Sequence, residues 1–170
     1  MYKKITALIV GALLSMIIFS GCSLPGQKNT ENTPPDDIEA INKPIELYLP
    51  NTNADGFVTK ASMTDGKPEH IISLLINEKA LPDGCALLDF AVNGNKSAIM
   101  DMNAAYGKAV GNSGTAGEYL QLGSVINTFV TFFAVEEITL TIEGKTLETG
   151  HEIYDYPLRF FEDQVAVFVD

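Results

Sequence analysis

Apolar and polar positions alternate at two periods along this chain, and the switch between them lays out the elements. Ile45, Leu47 and Leu49 alternate with Glu46 and Tyr48 before Pro50-Asn51, the period-2 pattern of a half-buried strand. Phe57 to Met63 follows a turn-rich Asn51–Gly56 and reads as a second short strand able to pair with the first. Pro68 suits a first helical turn, and Ile71, Ile72, Leu75 and Ile76 then recur at helical spacing, which predicts a helix over 68–78. Leu81-Pro82-Asp83-Gly84 ends it. Two runs, Cys85 to Val92 and Ser97 to Asn103, flank Asn93-Gly94-Asn95 and predict a hairpin, because Asn-Gly tolerates the positive φ of a tight primed turn.

Thr115 and Glu118 have the T-x-x-E spacing of a capping box, in which each side chain satisfies a backbone N–H at a helix start. Leu122, Val125, Ile126, Phe129 and Phe133 draw one wide apolar stripe after it, predicting a core helix that ends near Ala134. Ile138, Leu140 and Ile142 alternate with threonines and form the clearest strand, closed by a turn at Glu143-Gly144-Lys145. The order, β-α-β-β-α-β with a further short strand after the first, is neither strict α/β alternation nor all-β. It predicts an α+β single domain with two helices on one face of a small mixed sheet. Val165, Val167 and Phe168 form an apolar patch that reads as a further edge strand.

The first residues have a different grammar. Lys3 and Lys4 precede an apolar run from Ile5 to Phe19, too short for the about 20 residues that span a bilayer and suited to a signal-peptide core. Ser20-Gly21-Cys22 closes it with small residues before a cysteine. This resembles a bacterial lipobox, which implies that the Cys22 thiol carries diacylglycerol and that cleavage makes Cys22 the first residue. Two acyl chains anchor stably where one holds marginally. The expected organisation is a signal peptide over 1–21, a polar, proline-bearing tether over 22–43 and a domain over 44–170, held on the outer face of the cell membrane.

Charge narrows the partners. Removing residues 1–21 takes two of the 11 basic residues and none of the 22 acidic ones, leaving 9 against 22, a formal charge of −13. Nucleic acid and anionic surfaces are bound through clustered Lys and Arg, so nucleic acid is not an expected partner. Cys85 has no second cysteine once Cys22 is lipidated and is expected as a small buried side chain.

Candidate chemistry is sparse. His70 and His151 are the two histidines and have no companion at metal-ligand spacing, so no metal or cofactor is expected. Asp36 and Asp37 fall in the tether, while Asp89 and Asp101 would face each other across the hairpin. Paired carboxylates can hydrolyse a glycan, but on a strand with one buried face they are expected on the wet side, and no catalytic residue is assigned. Gly111-Asn112-Ser113-Gly114-Thr115 matches neither a nucleophile elbow nor a P-loop and reads as a helix entry.

Taken in order, IELYLPN, CALLDFAVNGNKSAIMDMNAAYGKAV, GTAGEYLQLGSVINTFVTFF and VEEITLTIEGK with YPLRF resemble the GerMN domain of sporulation and spore germination lipoproteins, over about residues 44 to 160. The resemblance implies a fold like the ring-building motifs of sporulation complexes and a role through protein contact: envelope proteins or self-association. The chain has room for one such domain and continues past Arg159. A second reading is a small-ligand or peptidoglycan binder whose 104–117 loop lines a groove, favoured by an aromatic concavity near Tyr106 and Tyr119. A hydrolase using Asp89 and Asp101 ranks last.

Overall fold

The structure, a computed structural model, describes residues 42–162 apart from Asn95. The signal segment, the tether up to residue 41, Cys22, Asp36, Asp37 and the Val165–Phe168 patch lie outside the described residues. Ten elements follow in order: β1 (Lys43–Pro50), β2 (Phe57–Thr64), α1 (Pro68–Asn77), β3 (Leu87–Asn93), β4 (Ser97–Met102), α2 (Ala104–Gly111), α3 (Gly114–Phe133), β5 (Glu137–Ile142), β6 (Lys145–Glu148) and β7 (Ile153–Tyr154). The class is α+β, as the pattern predicts.

Two sheets share the work. β1 and β2 form an antiparallel ribbon, with Ile45 opposite Ser62 and Leu47 opposite Lys60. The other sheet is mixed and runs β3-β4-β5-β6-β7. β3 and β4 are antiparallel, β4 and β5 parallel. A parallel neighbour needs a long crossover, which α2 and α3 supply between Met102 and Glu137. Along β4 and β5 the buried Ala98, Met100, Met102, Ile138 and Leu140 face inward and meet Ile71, Leu75, Val125, Ile126 and Phe129 of the helices. The opposite side of those strands carries Ile99, Asp101, Thr139 and Thr141.

Three local readings change. Among the described residues of the hairpin loop, the positive φ falls on Lys96, at 59°, and not on the Asn93-Gly94 pair. The stretch after Asn103 is the helix α2 rather than an open loop. Its Ala-Ala-Tyr-Gly sequence has little apolar periodicity, yet Asn103 caps it by accepting from the Tyr106 N–H at 3.1 Å. Gly107 then lets α2 approach β5, since a Cβ there would stand 3.0 Å from an Ile142 methyl. The third change is the start of α3, where no capping box forms. Only Asn112 and Ser113 separate α2 from α3, Gly114 turns the chain at φ +67°, and Thr115 lies inside the first helical turn.

Candidate functional site

The Thr115-Glu118 pair separates because Glu118 turns inward. Its side chain is 3% exposed, and Oε1 accepts from the hydroxyls of Thr149, at 2.9 Å, and Tyr154. Oε2 has no hydrogen-bond partner among the described residues. A buried carboxylate is costly unless bonded, so these two hydroxyls hold the β6–β7 hairpin against α3. Burial first, and then this bond to Glu118, push the Tyr154 phenol well above its ordinary value.

The same device recurs along α3. Thr128 Oγ1 accepts from the Tyr48 N–H of β1 at 3.1 Å, and Gln121 donates to the Ala109 carbonyl of α2 at 3.5 Å. Asn127, fully buried, grips the main chain of Phe161 twice: its Nδ2 donates to the carbonyl at 2.9 Å and its Oδ1 accepts from the N–H at 2.7 Å. Glu118, Asn127 and Thr128, all buried on this helix, and the half-buried Gln121 thus tie down four different segments, while the buried Ser124 hydroxyl has no partner among the described residues.

Two of these ties frame a cleft of about 640 Å³ lined by Tyr119 of α3 and by Tyr154, Tyr156, Phe160 and Phe161 from β7 and the strap beyond it. Tyr119 meets Phe161 edge-on at 5.2 Å between centroids, and Tyr154 tilts against Tyr156 at 6.1 Å. Tyr156 is 46% exposed and Phe160 40%, high values for large aromatic side chains. Glu152, Arg159 and Glu162 complete the lining, and Arg159 Nη2 also pairs with Glu137 at 2.8 Å.

The residues singled out from sequence are accounted for differently. Asp89 and Asp101 are cross-strand partners, as expected, but each has structural employment. Asp101 Oδ1 accepts from the Thr141 hydroxyl at 2.6 Å and the Gly144 N–H at 2.8 Å, fastening the β5–β6 turn. Asp89 Oδ1 accepts from the N–H of Phe90 at 2.9 Å, beside a bulge in β3, the terminal strand of its sheet. A side chain that occupies an edge amide and a bulge that breaks register both discourage strand-to-strand association. His70 Nδ1 lies 2.9 Å from Asp65, whose carboxyl is held below its usual value chiefly by the Lys67 N–H. His151 is exposed in the β6–β7 turn. Cys85 is buried, and burial raises its thiol. Among the described residues no three His, Cys, Asp or Glu gather where they could hold a metal ion, and no helix is long and apolar enough to cross a membrane.

The aromatic concavity therefore exists at Tyr119 but not at Tyr106. Tyr106 is 0% exposed, and the 104–117 stretch is largely helical. Sequence reasoning missed Tyr154, Tyr156, Phe160 and Phe161 because that stretch has no period. The signal available was local density: four aromatics within Tyr154–Phe161, too many for an idle loop.

The arrangement of elements matches a known family. The model for the Germane domain, described as sporulation and spore germination, covers residues 46–148. The chain belongs to this family, and its domain is of the GerMN type. It is similar to the tandem GerMN domains of the sporulation protein GerM from Bacillus subtilis, with a TM-score of 0.53 and 17% identity over 69% of this chain and 46% of that one. The chain thus spans under half of that structure. The first GerMN domain of the same protein matches at a TM-score of 0.46 and 17% identity, over 71% of this chain and 96% of that one. At 17% identity the likeness to the tandem domains speaks for fold alone. No curated protein matches the chain.

Proposed function

We propose that this chain is a lipid-anchored protein on the outer face of the cell membrane, acting in sporulation or spore germination by contact with envelope proteins or with itself, and not by catalysis. The observation that carries the reading is the Lys3–Cys22 run, a charged start, short apolar core and cysteine, upstream of a domain of the sporulation and spore germination family. Membership in that family, and likeness to a protein described as a sporulation protein, supply the process. The commitments of Asp89 and Asp101 support contact over hydrolysis, since both carboxylates already hold main-chain or hydroxyl donors. Exposed Leu88, Val92 and Ile99 offer apolar surface for contact. A Cys22→Ala variant is expected in the soluble fraction or as unprocessed precursor, without incorporated lipid. Membrane retention with wild-type lipid labelling would remove the anchor. Crosslinking in the native envelope then identifies what the domain touches.

A second reading, a small-ligand or peptidoglycan binder, is favoured by the cleft at Tyr119, Tyr154 and Tyr156. Its volume of about 640 Å³ falls within the roughly 300 to 1,000 Å³ of small-ligand sites.

A further inference from the structure

From the cleft bounded by Tyr119, Tyr154, Tyr156, Phe160 and Phe161 we infer a binding site for a run of neutral pyranose rings, the chemistry of an uncharged stretch of wall glycan; this rests on the second reading above and gives it a place and a ligand.

Three of the five rings are held in position before anything binds. Tyr119 stands on α3 itself; Tyr154 is fixed through its hydroxyl to buried Glu118; Phe161 is fixed through both its main-chain groups to buried Asn127. A platform held in place loses little entropy on binding. Tyr156 and Phe160, 46% and 40% exposed, leave aromatic surface open to a ligand. An aromatic face carries the negative part of the ring quadrupole, and the axial C–H groups of a pyranose carry partial positive charge, so the two stack.

Charge selects among polymers that could stack there. Glu152 and Glu162 line the cleft, Asp155 lies between Tyr154 and Tyr156 in sequence, and Glu118 sits behind the Tyr154 hydroxyl. Arg159 is the single cation among the lining residues and already faces Glu137. A phosphate- or sulfate-bearing chain would meet net repulsion here, added to that of a chain with 9 basic against 22 acidic residues after residue 21. Carboxylates instead accept hydrogen bonds from sugar hydroxyls and acetamido N–H groups, and a guanidinium with five N–H donors keeps some to spare beyond one ion pair.

The test uses the full chain in detergent micelles with chitotetraose as probe, followed by tyrosine ring NMR signals and by equilibrium dialysis. Expected is saturable binding with Kd below about 1 mM that changes less than about twofold between roughly 0.05 and 0.5 M salt. Tyr156→Ala should weaken it at least about tenfold and Tyr156→Phe by less than about twofold, since the ring and not the hydroxyl carries the contact. Binding that Tyr156→Ala leaves unchanged, or no saturation, overturns the inference. So do ring signals that respond to protein concentration but not to sugar, which would make a second copy the occupant. So does contact of those rings with the methyls of Val165–Val169 while the sugar leaves them unmoved. Sedimentation with whole sacculi separates the two failures. A chain that pellets equally with and without Tyr156→Ala binds the wall elsewhere and sinks the cleft alone, whereas a chain that neither pellets nor binds the sugar sinks the second reading with it.

Discussion

Gly123 lies in the middle of α3, where alanine would ordinarily be the better residue, and the surrounding contacts reverse that preference. In an exposed helix interior Gly→Ala gains about 1 kcal/mol, because alanine costs less backbone entropy. Here a Cβ at residue 123 would stand 2.1 Å from Cζ of Phe57, with both ε carbons of that ring within 3.0 Å. Carbon atoms attract best at about 3.5 to 4.0 Å, so the ring would have to retreat by more than about 1 Å. Phe57 has little room to do so: it is half-buried, lies against Tyr119 at 5.7 Å between centroids, and begins β2. Overpacking of this kind costs about 1 to 3 kcal/mol, which outweighs the propensity gain. Gly123→Ala should therefore destabilise the domain by about 1 kcal/mol, a fall of about 4 °C in midpoint for a domain of this size. The second half of the test supplies the sign. In a Phe57→Ala background the obstruction is gone, and Gly123→Ala should stabilise by up to about 1 kcal/mol, giving a coupling of about 2 kcal/mol in the double-mutant cycle. Urea denaturation followed by far-UV circular dichroism of all four chains measures it. Equal stabilisation by Gly123→Ala in both backgrounds would refute the packing argument.

Two further perturbations probe the ties along α3. Asn127→Ala removes both bonds to the Phe161 main chain, and at about 0.5 to 1.5 kcal/mol each the loss should be about 2 kcal/mol, with hydrogen exchange at the Phe161 amide rising in parallel; unchanged protection there would show the strap is held by its rings alone. The raised Tyr154 phenol gives an alkaline prediction: a group that holds its proton more tightly when folded contributes stability that is complete below the unfolded value of 10.0 and declines as pH rises beyond it. Urea midpoints should fall above about pH 10 and fall less steeply in Tyr154→Phe, and identical slopes in the two chains would contradict the assignment.

Much of the architecture was legible because burial of one face leaves a period in the sequence. The strands at Ile45–Leu49 and Ile138–Ile142 and the stripe from Leu122 to Phe133 each show it, and each element forms where the pattern places it. What the pattern hides is equally physical. α2 buries only one i,i+4 pair, Tyr106 and Val110, too little to register as a period, and its capping asparagine and the glycine that permits close approach leave no periodic trace either. β6 and β7 are too short for alternation to register. The T-x-x-E spacing was a sound local signal, but the tertiary structure redirected it: a carboxylate within reach of two hydroxyls on a distant hairpin bonds to them instead of to its own helix start.

That redirection also explains why the cleft could not be read from the chain. Its walls come from α3 and from a strap about 40 residues later in sequence, and what joins them is Glu118 and Asn127, two polar residues on a helix whose periodicity is apolar. In a hydrophobic-moment view both are blemishes on a core stripe. Each is costly to bury and is tolerated because it ends on a particular donor or acceptor in the strap or hairpin, so it selects one register for a segment that has no periodic preference of its own. A core of leucines in their place would pack α3 as well, but would leave Tyr154 and Phe161 free to settle in several ways. The polar ties therefore belong to the aromatic platform as much as to the helix, and their removal should loosen the platform before it unfolds the sheet.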